Sequence, residues 1–290
     1  MSLFRRQISG SVVCTSCGSL VGVRDEKCFN CGRRNPGLWG FAPLLRSLGN
    51  DLGFVSLVIW GCGGLYVVSL LLSGGAIGFG AGGLLNILAP SGQSVFLLGA
   101  SGALPVFSYH RWWTIFSAGW LHGNLLHVAF NMMWVRDLGP VVADVYGAGR
   151  MVIIYTVAGA CGFLASSIAA VYLPPLPLLR GAQLTLGASA SIFGLLGALV
   201  YYGRRTGSHL VRSHALRYAV ILGFFGLIMP GVDNIAHGGG FAGGYVAARL
   251  LDPLKPERID HIMIALVCLA IVVMSIAASV ITGLNFFPAR

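Results

Sequence analysis

Apolar residues gather in seven long runs, at roughly 52–73, 115–136, 151–173, 186–202, 216–232, 234–251 and 262–283. A hydrocarbon layer about 30 Å thick takes about 20 apolar residues to cross as a helix. Inside it every backbone polar group must be satisfied within the segment. The runs therefore predict an all-α polytopic membrane protein. Composition agrees, with 56% hydrophobic and only 10% charged residues, too little charge for the surface of a soluble domain. The runs at 186–202, 216–232 and 234–251 are short, and only PGVDN divides the last two.

The net charge of +10 first suggests nucleic acid, but its distribution suggests lipid. No apolar segment follows the basic start MSLFRRQISGSVVC, so no cleavable signal is expected and residues 1–50 are expected to stay on the side of synthesis. Alternating spans then place all but three of the 19 basic residues on that side, leaving Arg111, Arg180 and Arg290 outside. The positive-inside rule accounts for the split. Basic loops on an anionic lipid surface are expected rather than nucleic-acid binding. The expected location is a plasma or inner membrane, with the N-terminus cytoplasmic.

Residues 1–36 form a small polar module, 37–51 a linker, 52–259 a six-span core, and 260–290 a seventh span with a tail. The loop 74–111 is Gly-rich and too apolar to float in water, so it is expected partly in the membrane interface. The seventh span carries only Cys268 and small hydroxyl residues and is expected to be an accessory anchor.

Four cysteines occupy the module as CTSC, ten residues, then CFNC: Cys14, Cys17, Cys28 and Cys31. Two such turns can set four thiolates tetrahedrally around zinc. So small a module cannot bury a stable core, and metal would supply its folding energy. Disulfides or a redox pair are the alternative, disfavoured in a reducing cytosol. Four thiolates leave no open position, so the zinc is expected to be structural. Cys62, Cys161 and Cys268 stand alone in apolar spans and read as packing residues.

Ionisable groups inside a span are costly and need a reason. Span two, WLHGNLLHVAFNMMW, holds His122, His127 and Asn131, the last two on one helical face. Span four opens with Gly187 and Ser189, and span six holds His237 near its start. With the N-terminus inside, all three spans begin at the outer face, so these residues reach similar depth. The chemistry that fits is acyl transfer. His237 can take the proton of a serine. The His127 ring N–H, the Asn131 amide and the Ser189 backbone N–H can face an oxyanion, the last aided by its place in a first helical turn. A metal site of His122, His127 and His237 is the weaker alternative, because a five-residue spacing suits two ligands on one helix poorly. Asp233 either orients His237 or caps its helix; the cap is preferred, leaving a Ser–His dyad.

Two near copies compete for the nucleophile, LGASGA at 98–103 and LGASASIFGLLGA at 186–198. Ser101 is followed by no continuous helix. After Ser189, the residues Ala190, Gly194 and Ala198 make a small face, and span six offers Gly240 and Gly244 at the same period. Small faces let two helices approach closely. Ser189 is therefore expected to be the nucleophile. Ser191 points about 200° away, and Phe193 shares the face of Ser189 and can stack on His237.

HGNLLHVAFN, LGPVVADVYGAGR, GASASIFG and VDNIAHGGGFAGG together resemble the rhomboid family of intramembrane serine proteases, over about 95–251. The resemblance implies a six-helix core with a water-filled cavity open to the outer face and a membrane-embedded first loop. It also implies a Ser189–His237 dyad with His127 and Asn131 in the oxyanion hole, and a supporting role for His122. The added helix matches rhomboids with a C-terminal seventh span. The implied activity is cleavage of single-pass membrane proteins near the outer face, with no cofactor for catalysis and with the bilayer and membrane-spanning substrates as partners; the zinc module could recruit a cytosolic partner. An inactive protein that binds membrane helices is the alternative. Three departures stand out: Ala190 for the usual glycine, Thr114 for an arginine that steadies the first loop, and Asp144 for glutamate.

Overall fold

The computed structural model describes residues 6–15, 18–43, 48–74, 87–174 and 180–286. Among these, two short strands form the N-terminal module, β1 (Ser11–Val13) and β2 (Leu20–Gly22), antiparallel with Val12 opposite Val21. The rest is helical: α1 (Phe54–Ser73), α2 (Gly92–Leu98), the single turn α3 (Thr114–Ser117), α4 (Leu125–Tyr146), α5 (Ala148–Tyr172), α6 (Ser189–Thr206), α7 (His209–Ile228), α8 (Asn234–Leu250) and α9 (Ile259–Phe286). Four of them, α1, α5, α7 and α9, are long and apolar enough to cross a membrane. The chain is an integral membrane protein, and the three more polar long helices, α4, α6 and α8, carry the candidate site.

Two helices start away from their expected positions. The run at 115–136 does not make one span: its first residues form α3 and a 3-10 turn, Ala118–Trp120, and the long helix begins only at Leu125. The Asn124 side chain accepts from the His127 N–H at 2.7 Å and caps it there. The run at 216–232 is similarly displaced. Its helix begins at His209 behind the cap of Ser208 and ends at Ile228, so Arg212 and Arg217 lie on the helix rather than in a loop before it.

The centre of the molecule is a close packing of α5, α6 and α8. A Cβ at Gly240 would collide with the Ala190 carbonyl, and one at Gly244 with the Gly194 carbonyl. Gly162 on α5 also lies close to the Ala236 carbonyl of α8, where a Cβ would stand 2.5 Å away. Only small residues permit backbones this near, and the period-four faces expected on α6 and α8 are the ones that meet.

The described part of the first loop, residues 87–124, is tied on two sides. On one side its backbone pairs with the segment before α6. Ser101 N–H donates to Thr185 O at 2.9 Å and Thr185 N–H to Ser101 O at 2.7 Å. On the other side it meets α9, the helix expected to be an accessory anchor, which also bonds the loop through side chains. Arg111, 1% exposed, donates to Phe96 O at 2.9 Å and to Ser279 O of α9 at 2.6 Å, with its guanidinium 4.4 Å over the Phe96 ring. Thr114 is itself buried against this anchor, so Arg111 steadies the loop although position 114 lacks the arginine. Arg150 likewise is no lipid-facing loop residue. It is buried at the start of α5, donating to the carbonyls of Tyr146, Leu251, Asp252 and Lys255 and so tying α4 to the end of α8. Asp144 accepts from Asn50 at 2.6 Å.

Candidate active site

Ser189 is the first residue of α6. The backbone reaches it through a sharp turn at Gly187, φ +121°, whose N–H donates to Ala118 O at 3.0 Å. Gly187 serves two purposes. Its φ suits glycine, and a Cβ there would stand 2.6 Å from Nε2 of His127. His237 sits in the first turn of α8. Because α6 and α8 touch through their glycines, its Nε2 lies 2.9 Å from Ser189 Oγ. Phe193, one turn along from Ser189, stacks on the His237 ring with centroids 4.2 Å apart and planes 14° off parallel. It holds the imidazole edge-on to the serine.

Asp233 does not reach the His237 ring. One carboxylate oxygen accepts from Ala236 N–H at 2.9 Å as the cap of α8, and the other accepts from Ser166 Oγ at 2.5 Å. Ser166 in turn accepts from Ala182 N–H at 3.0 Å. Nδ1 of His237 is buried and has no hydrogen-bond partner among the described residues. Among the described residues, Ser189 is thus paired with His237 and no third side chain joins them.

His127 and Asn131 approach from α4. Nδ1 of His127 accepts from Gly123 N–H at 3.3 Å. A neutral imidazole that accepts at one nitrogen carries its proton on the other, so Nε2–H of His127 is a donor, and it is the atom lying against Gly187. The Asn131 amide donates to His127 O at 2.8 Å, which spends one of its two N–H groups and leaves the second. His122 is buried behind them, with ring centroid 5.1 Å from that of His127 and no hydrogen-bond partner among the described residues at either nitrogen.

The competing serines point elsewhere. A Cβ at Gly159 would stand 2.6 Å from Ser191 Oγ, so that hydroxyl faces α5, not α8. Ser101 is fully buried and within reach of the Thr114 hydroxyl at 3.3 Å. Ala190 is buried between α5 and α8, and a Cβ at Gly162 would stand 2.8 Å from its methyl. The extra carbon therefore faces packed helix, away from the serine hydroxyl. Asn124, Ser166 and the Ala118 carbonyl also shape the site. Sequence alone did not single them out, because each acts through one bond to a segment distant in sequence or through a cap whose helix start lay hidden in an apolar run.

In the module, Cys14, Cys28 and Cys31 bring their sulfurs within 4.8 Å of one another, with Cys14 and Cys31 at 3.8 Å. Cys17 lies outside the described residues. The two knuckles match: Gly18 N–H donates to Cys14 O and Gly32 N–H to Cys28 O, while Cys14 N–H donates to Ser19 O and Cys28 N–H to Arg33 O.

Residues 109–254 match the Rhomboid domain family. Rhomboid protease GluP of Bacillus subtilis is 35% identical over 144 residues, 49% of this chain and 26% of that protein. RHOMBOID-like protein 1 of Arabidopsis thaliana is 30% identical over 171 residues, covering 55% of this chain and 40% of its own. Rhomboid-like protease 3 of Toxoplasma gondii is 24% identical over 222 residues, 73% and 76% of the two chains. The chain thus spans well under half the length of the first two relatives. The matched half contains α4 to α8 and every residue of the constellation around Ser189, and on that ground the chain belongs to the rhomboid family.

Proposed function

We propose that this protein is an intramembrane serine endopeptidase that cuts single-pass membrane proteins near the outer end of their spans. The observation that carries this is the 2.9 Å approach of Ser189 Oγ to His237 Nε2 between two different helices. Ser189 Oγ attacks the scissile carbonyl carbon as its proton passes to His237 Nε2. The carbonyl oxygen takes the negative charge, facing Nε2–H of His127, the remaining N–H of Asn131 and the backbone N–H of Ser189. The first N–H groups of a helix lack intrahelical partners, and the macrodipole adds its positive end. His237 then protonates the leaving amine, and water attacks the acyl-enzyme with His237 again as base. A helical peptide bond is shielded from such attack, so substrates with helix-breaking or small residues near the cut are expected.

The inactive alternative rested on Ala190, whose methyl is directed at Gly162 of α5. Expression of the Ser189→Ala variant with a model single-pass substrate tests the activity, and undiminished cleavage would end the proposal. Labelling of the unaltered protein by a fluorophosphonate separates an enzyme from a binding protein.

We further propose that Cys14, Cys17, Cys28 and Cys31 hold a structural zinc ion on the cytoplasmic side of a plasma or inner membrane, available to a cytosolic partner. At Zn–S bonds of about 2.3 Å, the edge of a thiolate tetrahedron is about 3.8 Å, the separation of Cys14 and Cys31. A disulfide needs about 2.05 Å. When bound, zinc would supply the folding energy of the module and no catalysis. Metal analysis of the purified chain should return about one zinc per protein; sulfur–sulfur bonds among these four would contradict it.

A further inference from the structure

We propose that α9 is a strut that positions the Gly187–Ser189 turn, and that Ser275 and Trp113 are positioning residues of the site; this rests on the peptidase function proposed above. A run of hydrogen bonds leads from α9 to the nucleophile. Ser275 Oγ donates to Trp113 O at 2.6 Å, and Trp113 Nε1–H donates to Ser279 Oγ at 3.1 Å. Trp113 immediately precedes α3, so both ends of the residue that opens this turn are fastened to α9. The next turn, Ala118–Trp120, continues α3 and presents Ala118 O to Gly187 N–H at 3.0 Å. Gly187 is two residues from Ser189 and lies against Nε2 of His127.

A second route converges on the same segment. Arg111 is bonded to Ser279 O, and Thr114 Oγ1 donates to Arg111 O at 2.8 Å and reaches Ser101 Oγ at 3.3 Å. Ser101 is then paired through its backbone with Thr185. Close packing stiffens the contact. A Cβ at Gly99 would lie 2.7 Å from Ser279 Oγ, and one at Gly283 would lie 2.6 Å from Leu97 Cδ1. Phe286 meets Phe96 and Tyr109 edge to face.

A membrane anchor needs none of this. Its hydroxyls would be expected to bond their own helix, as Thr282 does to Ala278 O at 2.7 Å. Ser275 instead spends its hydroxyl on a loop carbonyl, and Ser279 lends both its hydroxyl and its carbonyl to the loop. Holding the donor side of the site still matters because small misplacements of a reacting group cost up to about 10²-fold in rate.

The test compares the full-length chain in lipid nanodiscs with the double variant Trp113→Phe/Ser275→Ala, with Ser275→Thr and with Thr282→Ala. The readouts are kcat and KM on a single-pass substrate, the fluorophosphonate labelling rate, and the melting temperature. The double variant should lose about tenfold in kcat and in labelling rate, with KM within about twofold, at temperatures well below its melting point. Ser275→Thr, which keeps the hydroxyl, and Thr282→Ala, which removes a hydroxyl bonded only to backbone carbonyls of α9 itself, Ala278 O and more weakly Ser279 O, should keep the original rates. A folded double variant with unchanged kcat, a loss confined to KM, or an equal loss in Thr282→Ala would overturn the proposal. Should the double variant not fold, Ser275→Ala alone decides: about a threefold slower labelling is expected, and an unchanged rate overturns it. An unaltered chain that neither cleaves nor labels would instead fell the peptidase function, and this proposal with it.

Discussion

The tetrapeptide Leu-Gly-Ala-Ser occurs twice, at 98–101 and 186–189, and the two copies begin alike. Both glycines have positive φ, +107° at Gly99 and +121° at Gly187. Both alanines, Ala100 and Ala188, are fully buried. The segments even lie side by side, joined by the Ser101–Thr185 bridge. They part at the next residue. Gly102, φ +122°, turns the first copy into a π-helical turn at Leu104–Ser108, and the Ser101 hydroxyl is enclosed by the loop. In the second copy the serine opens an 18-residue helix whose first N–H groups have no backbone partner among the described residues, with an imidazole across the gap. What separates the two serines is the helix mounted after the turn and the imidazole set opposite the hydroxyl, and the four letters supply neither.

The largest effect that can break this comparison is the exchange of the two serines' fates by mutation. Ser189→Ala should bring cleavage and fluorophosphonate labelling to background, a loss of at least about 10⁴-fold. Mapping the labelled peptide of the unaltered protein checks the same point independently. Label on Ser101 would reverse the assignment.

Next come the glycines. Gly187→Ala should cost about 10²-fold or more in kcat, because the new methyl would displace His127 and the φ is strained for alanine. Gly99→Ala meets the same strain, but its methyl would press on the hydroxyls of Ser117 and Ser279. Its first effect should be a lower melting temperature, with a smaller loss of kcat passed along the loop. Equal kcat losses with equal melting shifts would mean that the two turns serve the site in the same way.

Much of this was legible in the letters, for physical reasons. The polar residues of α4, α6 and α8 stand out because hydrocarbon penalises them, and the period-four glycines announce that α6 and α8 must touch. The place of Phe193 comes from helical spacing alone. The start of α4 was not legible. TIFSAGWLHGNLL is apolar enough to pass for the beginning of a span, and only the bond from Asn124 to His127 N–H marks where the helix begins. The work of α9 was hidden for a related reason. Ser275 and Ser279 look like ordinary small residues in a span, and their partners, Trp113 and Arg111, are more than 160 residues away in sequence. Asp233 was legible as a cap because it precedes a helix start, but its second bond, to Ser166 of α5, has no signature in sequence.

A third experiment sharpens the contrast between the surroundings of the two serines. Ser189 has His127 beside its turn, with Asn131 bonded to the His127 carbonyl, whereas Ser101 has the Thr114 hydroxyl. Asn131→Ala should lower kcat by about 10²-fold with little change in KM, the behaviour of a donor that engages only the developing oxyanion. An unchanged kcat would remove Asn131 from the oxyanion hole and leave its amide as a brace on the His127 carbonyl.

The smallest expected effect is at Ser101→Ala, and it is the most discriminating about the first copy. The bridge to Thr185 is made by backbone atoms at 2.9 and 2.7 Å, so it survives loss of the hydroxyl. Thr114 Oγ1 keeps its bond to Arg111 O at 2.8 Å, so no buried donor is stranded. The net cost should be one weak hydrogen bond, about 0.5–1.5 kcal/mol of stability, with cleavage within about twofold of the unaltered protein. A collapse of activity at normal melting temperature would mean that the Ser101 hydroxyl, not merely its backbone, reaches the chemistry, and the two copies would then differ less than their surroundings indicate.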